Sequence, residues 1–219
     1  MTVFVIAMDS EAAPIIAKMK IKKDLTVHGR RVVLGKLYDT KTAVVVCGVG
    51  KVNAAAGAQY AIDVLGAKYI VNIGVAGGLK GNLNIGCLYS VSHAVQYDFD
   101  LTELNGTRMG TLNEYDAPYL ELAVAPVFPF KKLGSADRFN DDKYDFKLLT
   151  KVLDADLRDM EGGAIAQVCK HAEIPFYSFK AVSDLAGAGS TPSQYKVNLK
   201  MCMENISANL AKICEAVLL

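Results

Sequence analysis

Short apolar runs alternate with helical patterns along this chain, and that alternation constrains its fold more than any other feature. Residues 3–7, 42–46 and 68–74 are too short for helices and too apolar for surface loops. Such runs suit strands covered on both faces. Between and after them, four segments carry apolar residues at helical spacing. These are residues 11–19, an alanine-rich stretch from Gly48 to about Leu65, residues 160–171, and a C-terminal stretch with Leu199, Met203, Ile206, Leu210, Ile213 and Val217. Alanines 54, 55, 56, 58 and 61 predict a second helix pressed closely on a sheet. Further β segments are expected at residues 25–37, 86–96, 131–136, 154–159 and 175–183, with a turn at Asp39-Thr40-Lys41. Residues 101–129 show no clear period. With no repeat and no low-complexity tract, the pattern predicts an α/β protein, a three-layer α/β/α sandwich around a central mixed β-sheet. No break in composition divides the chain, so residues 1–219 are expected to form a single domain.

Charge excludes some functions. With 24 basic and 23 acidic residues, the chain lacks the electrostatic footprint of a nucleic-acid binder. The basic residues near 18–23 and at Arg30-Arg31 read as a solvated edge. No apolar stretch approaches the roughly 18 residues of a membrane span, and the N-terminus has no basic leader. The five cysteines are odd in number, scattered and mostly in apolar patterns, which predicts buried, reduced thiols and a cytoplasmic location. His28, His93 and His171 lack metal-ligand spacing, so neither a metal nor a cofactor is expected.

Three acidic residues stand where apolar or helical patterns change: Glu11 after the first strand, Glu161 at the head of a helix, and Asp184 after residues 176–183. Ligands of open α/β sheets bind outside the carboxyl ends of the strands. Carboxylates brought there from three distant segments are placed for chemistry. Two glycine clusters, Gly48-Val49-Gly50 and Gly74-Val75-Ala76-Gly77-Gly78, also follow strands. Neither has a P-loop ending or a dinucleotide fingerprint. They read either as turns or as places where backbone approaches a ligand.

Six ordered segments together resemble one family, the 5′-methylthioadenosine/S-adenosylhomocysteine nucleosidases of the purine nucleoside phosphorylase superfamily. The matching pieces are Ala7-Met8-Asp9-Ser10-Glu11, Gly48-Val49-Gly50-Lys51-Val52-Asn53-Ala54-Ala55 and Asn72-Ile73-Gly74-Val75-Ala76-Gly77-Gly78-Leu79. They continue with Asp137-Arg138-Phe139, Asp159-Met160-Glu161-Gly162-Gly163-Ala164-Ile165-Ala166 and Lys180-Ala181-Val182-Ser183-Asp184.

The resemblance implies a nucleoside phosphorylase-like fold and hydrolysis of the bond joining adenine to a 5′-thio-substituted ribose. It implies Asp184 as the acid that protonates adenine N7, oriented by Ser183, and Glu11 as the base that activates water. Glu161 is expected to hold the ribose hydroxyls, with Met160 lining the sugar. Phe139 is expected to stack on adenine, the backbone near Asn140 to read the base edge, Gly77 to lie in a loop under base and sugar, and Tyr195 to cover the purine. Three residues expected at the substrate depart from the pattern: Lys180, near the water and Glu161, where many relatives carry Arg; Asp159 where Glu is common; and Val75. Val75 stands where many relatives have a small hydroxyl residue. The resemblance further implies a homodimer, with apolar residues in 99–104 offered to the neighbouring 5′ pocket.

Two other readings remain at this level. A phosphate-dependent purine nucleoside phosphorylase requires a cationic cradle, and Met8-Asp9-Ser10-Glu11 would repel phosphate. A nucleoside-binding protein without turnover is allowed by the fold, but would not require both an acid and a base.

Overall fold

The computed structural model describes residues 1–218. It contains one mixed sheet with helices on both faces. The strands are β1 (Thr2–Ile6), β2 (Met19–Val27), β3 (Arg30–Leu37), β4 (Thr40–Val46), β5 (Tyr69–Gly78), β6 (Leu88–Gln96), β7 (Leu120–Glu121), β8 (Phe130–Ser135), β9 (Leu157–Asp159) and β10 (Phe176–Leu185). The helices are α1 (Asp9–Ile16), α2 (Lys51–Asp63), α3 (Thr102–Asn105), α4 (Lys143–Lys147), α5 (Gly162–His171) and α6 (Thr191–Leu218). A π-helical turn, Leu148–Val152, follows α4 directly.

β5 organises the sheet. It pairs in parallel with β10 over its length, and β10 pairs antiparallel with β6. From β6 the ladder passes to β8, then β9, and back to the end of β5. Five strands therefore close into a ring, which the sequence did not predict. On the opposite edge of β5 from β10, β1 pairs only as far as Val71, while β9 joins only at Gly77. Residues 72–76 are left without a strand partner along that edge. From β1 the sheet continues through β4 and β3 to β2.

Helices α2 and α5 pack together on one face and α1 and α6 on the other, which gives the three layers. Ala54, Ala58 and Ala61 of α2 are fully buried against Val3, Val5 and Val45 of the sheet, as the alanine pattern predicts. In α6, Cys202, Ile206, Leu210, Ile213, Cys214 and Val217 form the buried stripe. Each of its isoleucine, leucine and valine side chains contributes about 1.5–3 kcal/mol on burial.

Several expectations need correction. The first helix stops at Ile16, and residues 25–37 are a strand, a turn and another strand rather than one run. His28 and Gly29, both at positive φ, make the turn of that hairpin. The lysines at 20, 22 and 23 lie exposed on β2, a charged strand at the end of the sheet, which hinders pairing with another chain. The glycine cluster 74–78 belongs to β5 and is not a loop. In the segment without clear period, only α3 and β7 are regular. Cys87 is exposed, whereas Cys47, Cys169, Cys202 and Cys214 are buried. Among the described residues, no helix is long and apolar enough to cross a membrane.

Candidate active site

Strands β1, β5 and β10 run parallel, so their carboxyl ends meet on one side of the sheet. A cavity opens there, lined by Met8 and Glu11 at the start of α1 and Val75, Ala76 and Gly77 of β5. Arg158, Asp159, Met160 and Glu161 enter from β9 and its exit, and Ser183 and Asp184 from β10. Phe139, Tyr195, Val49 and Ala7 complete the wall. The carboxylates of Glu11, Glu161 and Asp184 thus come together from three separate segments.

The unpaired edge of β5 holds Glu11. With no strand beside it, the Val75 N–H donates to Glu11 Oε1 at 2.8 Å. The carboxylate lies so close to the strand that a Cβ at Gly74 would stand 2.5 Å from Oε1. A side chain there would push the carboxylate out of this position. Burial raises the Glu11 pKa, while the Lys180 charge and the Val75 N–H pull it back.

A bulge aims Asp184. Val182 pairs with Ala76 and Asp184 with Gly77, so Ser183 is an extra residue in β10. An inserted residue bends the strand and changes which way the next side chain points. Ser183 Oγ donates to Asp184 Oδ2 at 2.8 Å, and Asn198 Nδ2 donates to the Ser183 carbonyl at 2.9 Å. Asp184 Oδ1 has no hydrogen-bond partner among the described residues. Burial raises the Asp184 pKa, opposed by the Ser183 hydrogen bond and by Arg158.

Glu161 is set by backbone from two directions. The Gly50 N–H donates to its Oε1 at 2.9 Å, and its own N–H donates to Asp159 Oδ1 at 3.3 Å. Burial, then the neighbouring Asp159 charge, push its pKa up to about 7 against the pull of Lys180.

Lys180 does not line the cavity, contrary to expectation. Its side chain is 2% exposed and its Nζ pairs with Asp159 Oδ2 at 2.8 Å. Burial works against its charge, but Asp159, Glu161 and Glu11 together raise its pKa. Two of the three departures from the family pattern are therefore partners in one buried ion pair. Asp159 also accepts from Ser135 Oγ and from the Gly162 N–H at the head of α5. Breaking such a pair from one side costs about 3–5 kcal/mol, so substitution of Lys180 alone would test folding more than chemistry.

Asn140 is likewise absent from the cavity wall. Its Nδ2 donates to Asp145 Oδ2 at 3.0 Å, and Arg138 Nη1 donates to Asp145 Oδ1 at 2.8 Å. Asp145, 1% exposed on α4, thus clamps both neighbours of Phe139. The half-exposed Phe139 ring meets Tyr195 edge to face, with centroids 5.7 Å apart. Asp145→Ala removes both hydrogen bonds and is expected to loosen this loop and raise KM for a nucleoside about 10-fold or more, with a smaller change in kcat. Steady-state kinetics check this; an unchanged KM would remove Asp145 from any positioning role.

Sequence reasoning missed Ala7, Met8, Val49, Ala76 and Arg158 on the wall, and Asp145 behind it. The Arg158 signal was present as a charged residue inside a strand next to Asp159-Met160-Glu161, but Leu157-Arg158-Asp159 also reads as an ordinary half-exposed strand.

The sequence matches the Phosphorylase superfamily over residues 2–219. It is 31% identical to a 5′-methylthioadenosine/S-adenosylhomocysteine nucleosidase of Halalkalibacterium halodurans, over 96% of this chain and 94% of that protein. A nucleosidase of the same name from Colwellia psychrerythraea, solved in complex with adenine, superposes with a TM-score of 0.87 at 26% identity, covering 96% of this chain and 92% of that one. A futalosine hydrolase of Helicobacter pylori has the same fold, with a TM-score of 0.90 at 21% identity over 98% of this chain and 97% of that one. With its cavity at the carboxyl ends of β1, β5 and β10, the chain belongs to the 5′-methylthioadenosine/S-adenosylhomocysteine nucleosidase family of the phosphorylase superfamily.

Proposed function

We propose that this chain hydrolyses the N-glycosidic bond of 5′-methylthioadenosine and S-adenosylhomocysteine, with 5′-deoxyadenosine a further candidate, to give adenine and the corresponding ribose. The enzyme class follows from its family: it is an N-glycosyl hydrolase. In the proposed step the bond from C1′ to N9 breaks, and its electron pair passes into the purine. Asp184 gives its proton to N7, so adenine leaves neutral. Glu11 takes a proton from water as the oxygen bonds to C1′. Glu161 holds the ribose hydroxyls, and when ionised it favours the positive charge that develops on the ring.

The observation that carries this reading is that two carboxyls in one cavity are held in different ways. Asp184 is held by one oxygen and leaves the other unpartnered, with a pKa raised towards the protonated form an acid requires. Glu11 is held by the Val75 N–H beside the backbone of β5. Phosphorolysis is disfavoured by the same geometry. Arg158 is the only cation on the cavity wall among the described residues, and it stands beside Asp184 rather than Glu11. Glu11 and Glu161 would repel phosphate where a nucleophile must enter.

A homodimer is part of the proposal. Leu104 on α3 is 80% exposed, an apolar side chain suited to cover a neighbour's 5′ pocket, whereas Phe99 of the same segment packs against its own core.

Release of adenine from methylthioadenosine, measured with and without phosphate, tests the function. Equal rates in both are expected. Strict phosphate dependence would assign a phosphorylase, and tight binding without turnover would assign a nucleoside-binding protein.

A further inference from the structure

Two buried polar atoms at the cavity wall have no hydrogen-bond partner among the described residues: Asp184 Oδ1 and Arg158 Nη2. They stand 4.0 Å apart, and Arg158 Nη2 lies 3.9 Å from Asp141 Oδ1. Both distances exceed hydrogen-bond length, so neither carboxylate saturates the guanidinium. The pair is nonetheless held in place. β9 carries Arg158 opposite Gly77, and a Cβ at Gly77 would stand 2.9 Å from Asp184 Oδ1 and 3.1 Å from Arg158 Nε. The absence of a side chain there lets both residues reach the same corner of the cavity.

A purine offers N7 and its 6-substituent side by side on one edge. In a 6-oxopurine both are acceptors; in adenine N7 accepts and the 6-amino group donates. A proton donor aimed at N7 therefore has the 6-substituent as its immediate neighbour. A guanidinium has donors only. It complements a 6-oxo group and opposes a 6-amino group.

We propose that Arg158 reads the 6-position of the leaving base, and that the cavity accepts 5′-substituted nucleosides of 6-oxopurines as well as those of adenine. The inference rests on the assignment of Asp184 as the acid at N7. It concerns the base, and leaves the bond broken and the route of each proton unchanged.

The test compares kcat/KM for 5′-methylthioinosine and 5′-methylthioadenosine in the wild-type protein and in Arg158→Leu, together with dissociation constants of free hypoxanthine and free adenine by calorimetry. The wild type is expected to cleave both nucleosides. In Arg158→Leu the preference for oxo over amino should fall by about 10-fold or more, as for loss of one base-edge hydrogen-bond pair. A guanidinium that only adjusted the acidity of Asp184 or supported the fold would change both substrates alike, and an unchanged ratio overturns the proposal. So does a wild type that cleaves methylthioadenosine but neither cleaves methylthioinosine nor binds hypoxanthine. If neither nucleoside is cleaved, the proposed hydrolysis fails, and the ratio of base affinities still decides the role of Arg158. Should Arg158→Leu not fold, Arg158→Gln offers both a donor and an acceptor, and the same fall in ratio is expected.

Discussion

Replacing Asp184 with Asn is expected to lower turnover of methylthioadenosine by at least about 10²-fold, the usual cost of removing a general acid. The amide retains the shape of the carboxyl and its contact with Ser183 Oγ, but cannot deliver a proton to N7. The pH profile separates this cause from misfolding. Because burial raises the Asp184 pKa, its acid form persists above the ordinary value of 3.8 and is lost as pH rises through the folded value. Wild-type activity should therefore decline on the alkaline side, and the variant should lack that limb. Linkage gives a second readout. The folded protein binds this proton more tightly than the unfolded chain, so the group's contribution to stability is full below 3.8 and is lost as pH rises through the folded pKa. The Asn variant avoids that loss and should be no less stable than wild type at neutral pH. Thermal unfolding together with single-turnover rates decides the matter. Near-wild-type turnover in a folded variant would sink the acid assignment.

Glu11→Gln should reduce turnover by a comparable factor, about 10²-fold or more, through loss of the base. Here the sign is reversed on the activity axis. The base must be ionised, and burial raises its pKa, so activity should fall on the acid side as pH drops through the folded value. Together the two carboxyls predict a bell whose acid limb belongs to Glu11 and whose alkaline limb belongs to Asp184. Gln can also turn its oxygen toward the Val75 N–H and keep that hydrogen bond, so binding should be less affected than kcat. Rates across pH for both variants are the measurement. An acid limb that survives in Glu11→Gln would move the base elsewhere.

The helices and most strands were legible because their apolar spacing is regular, as in the Cys202-to-Val217 stripe of α6 and the alanines of α2. The first part of strand β2 was not. Its lysines at 20, 22 and 23 leave no apolar face, because an end strand of the sheet need not bury one. The cavity was legible in its carboxylates, since Glu11, Glu161 and Asp184 each interrupt a pattern. What aims them was not. The Ser183 bulge, the unpaired stretch of β5 and the space above Gly74 arise only from pairing between distant segments. Lys180 was misplaced for a similar reason. The resemblance sets it near the water and Glu161, and only tertiary packing reveals Asp159 as its partner.

The five-strand ring has a consequence for how the molecule is made. β5 emerges early in synthesis, yet the strand that pairs along its whole length, β10, lies about a hundred residues later, from Phe176 to Leu185. Until then one flank of β5 is an open template for pairing with foreign strands. Contacts between segments so far apart in sequence also form slowly, since the entropy of closing the intervening loop is lost before pairing repays it. Asp184 arrives on that last strand, and Glu161 only shortly before. A nascent chain that ends before β10 therefore lacks Asp184 and cannot assemble the cavity.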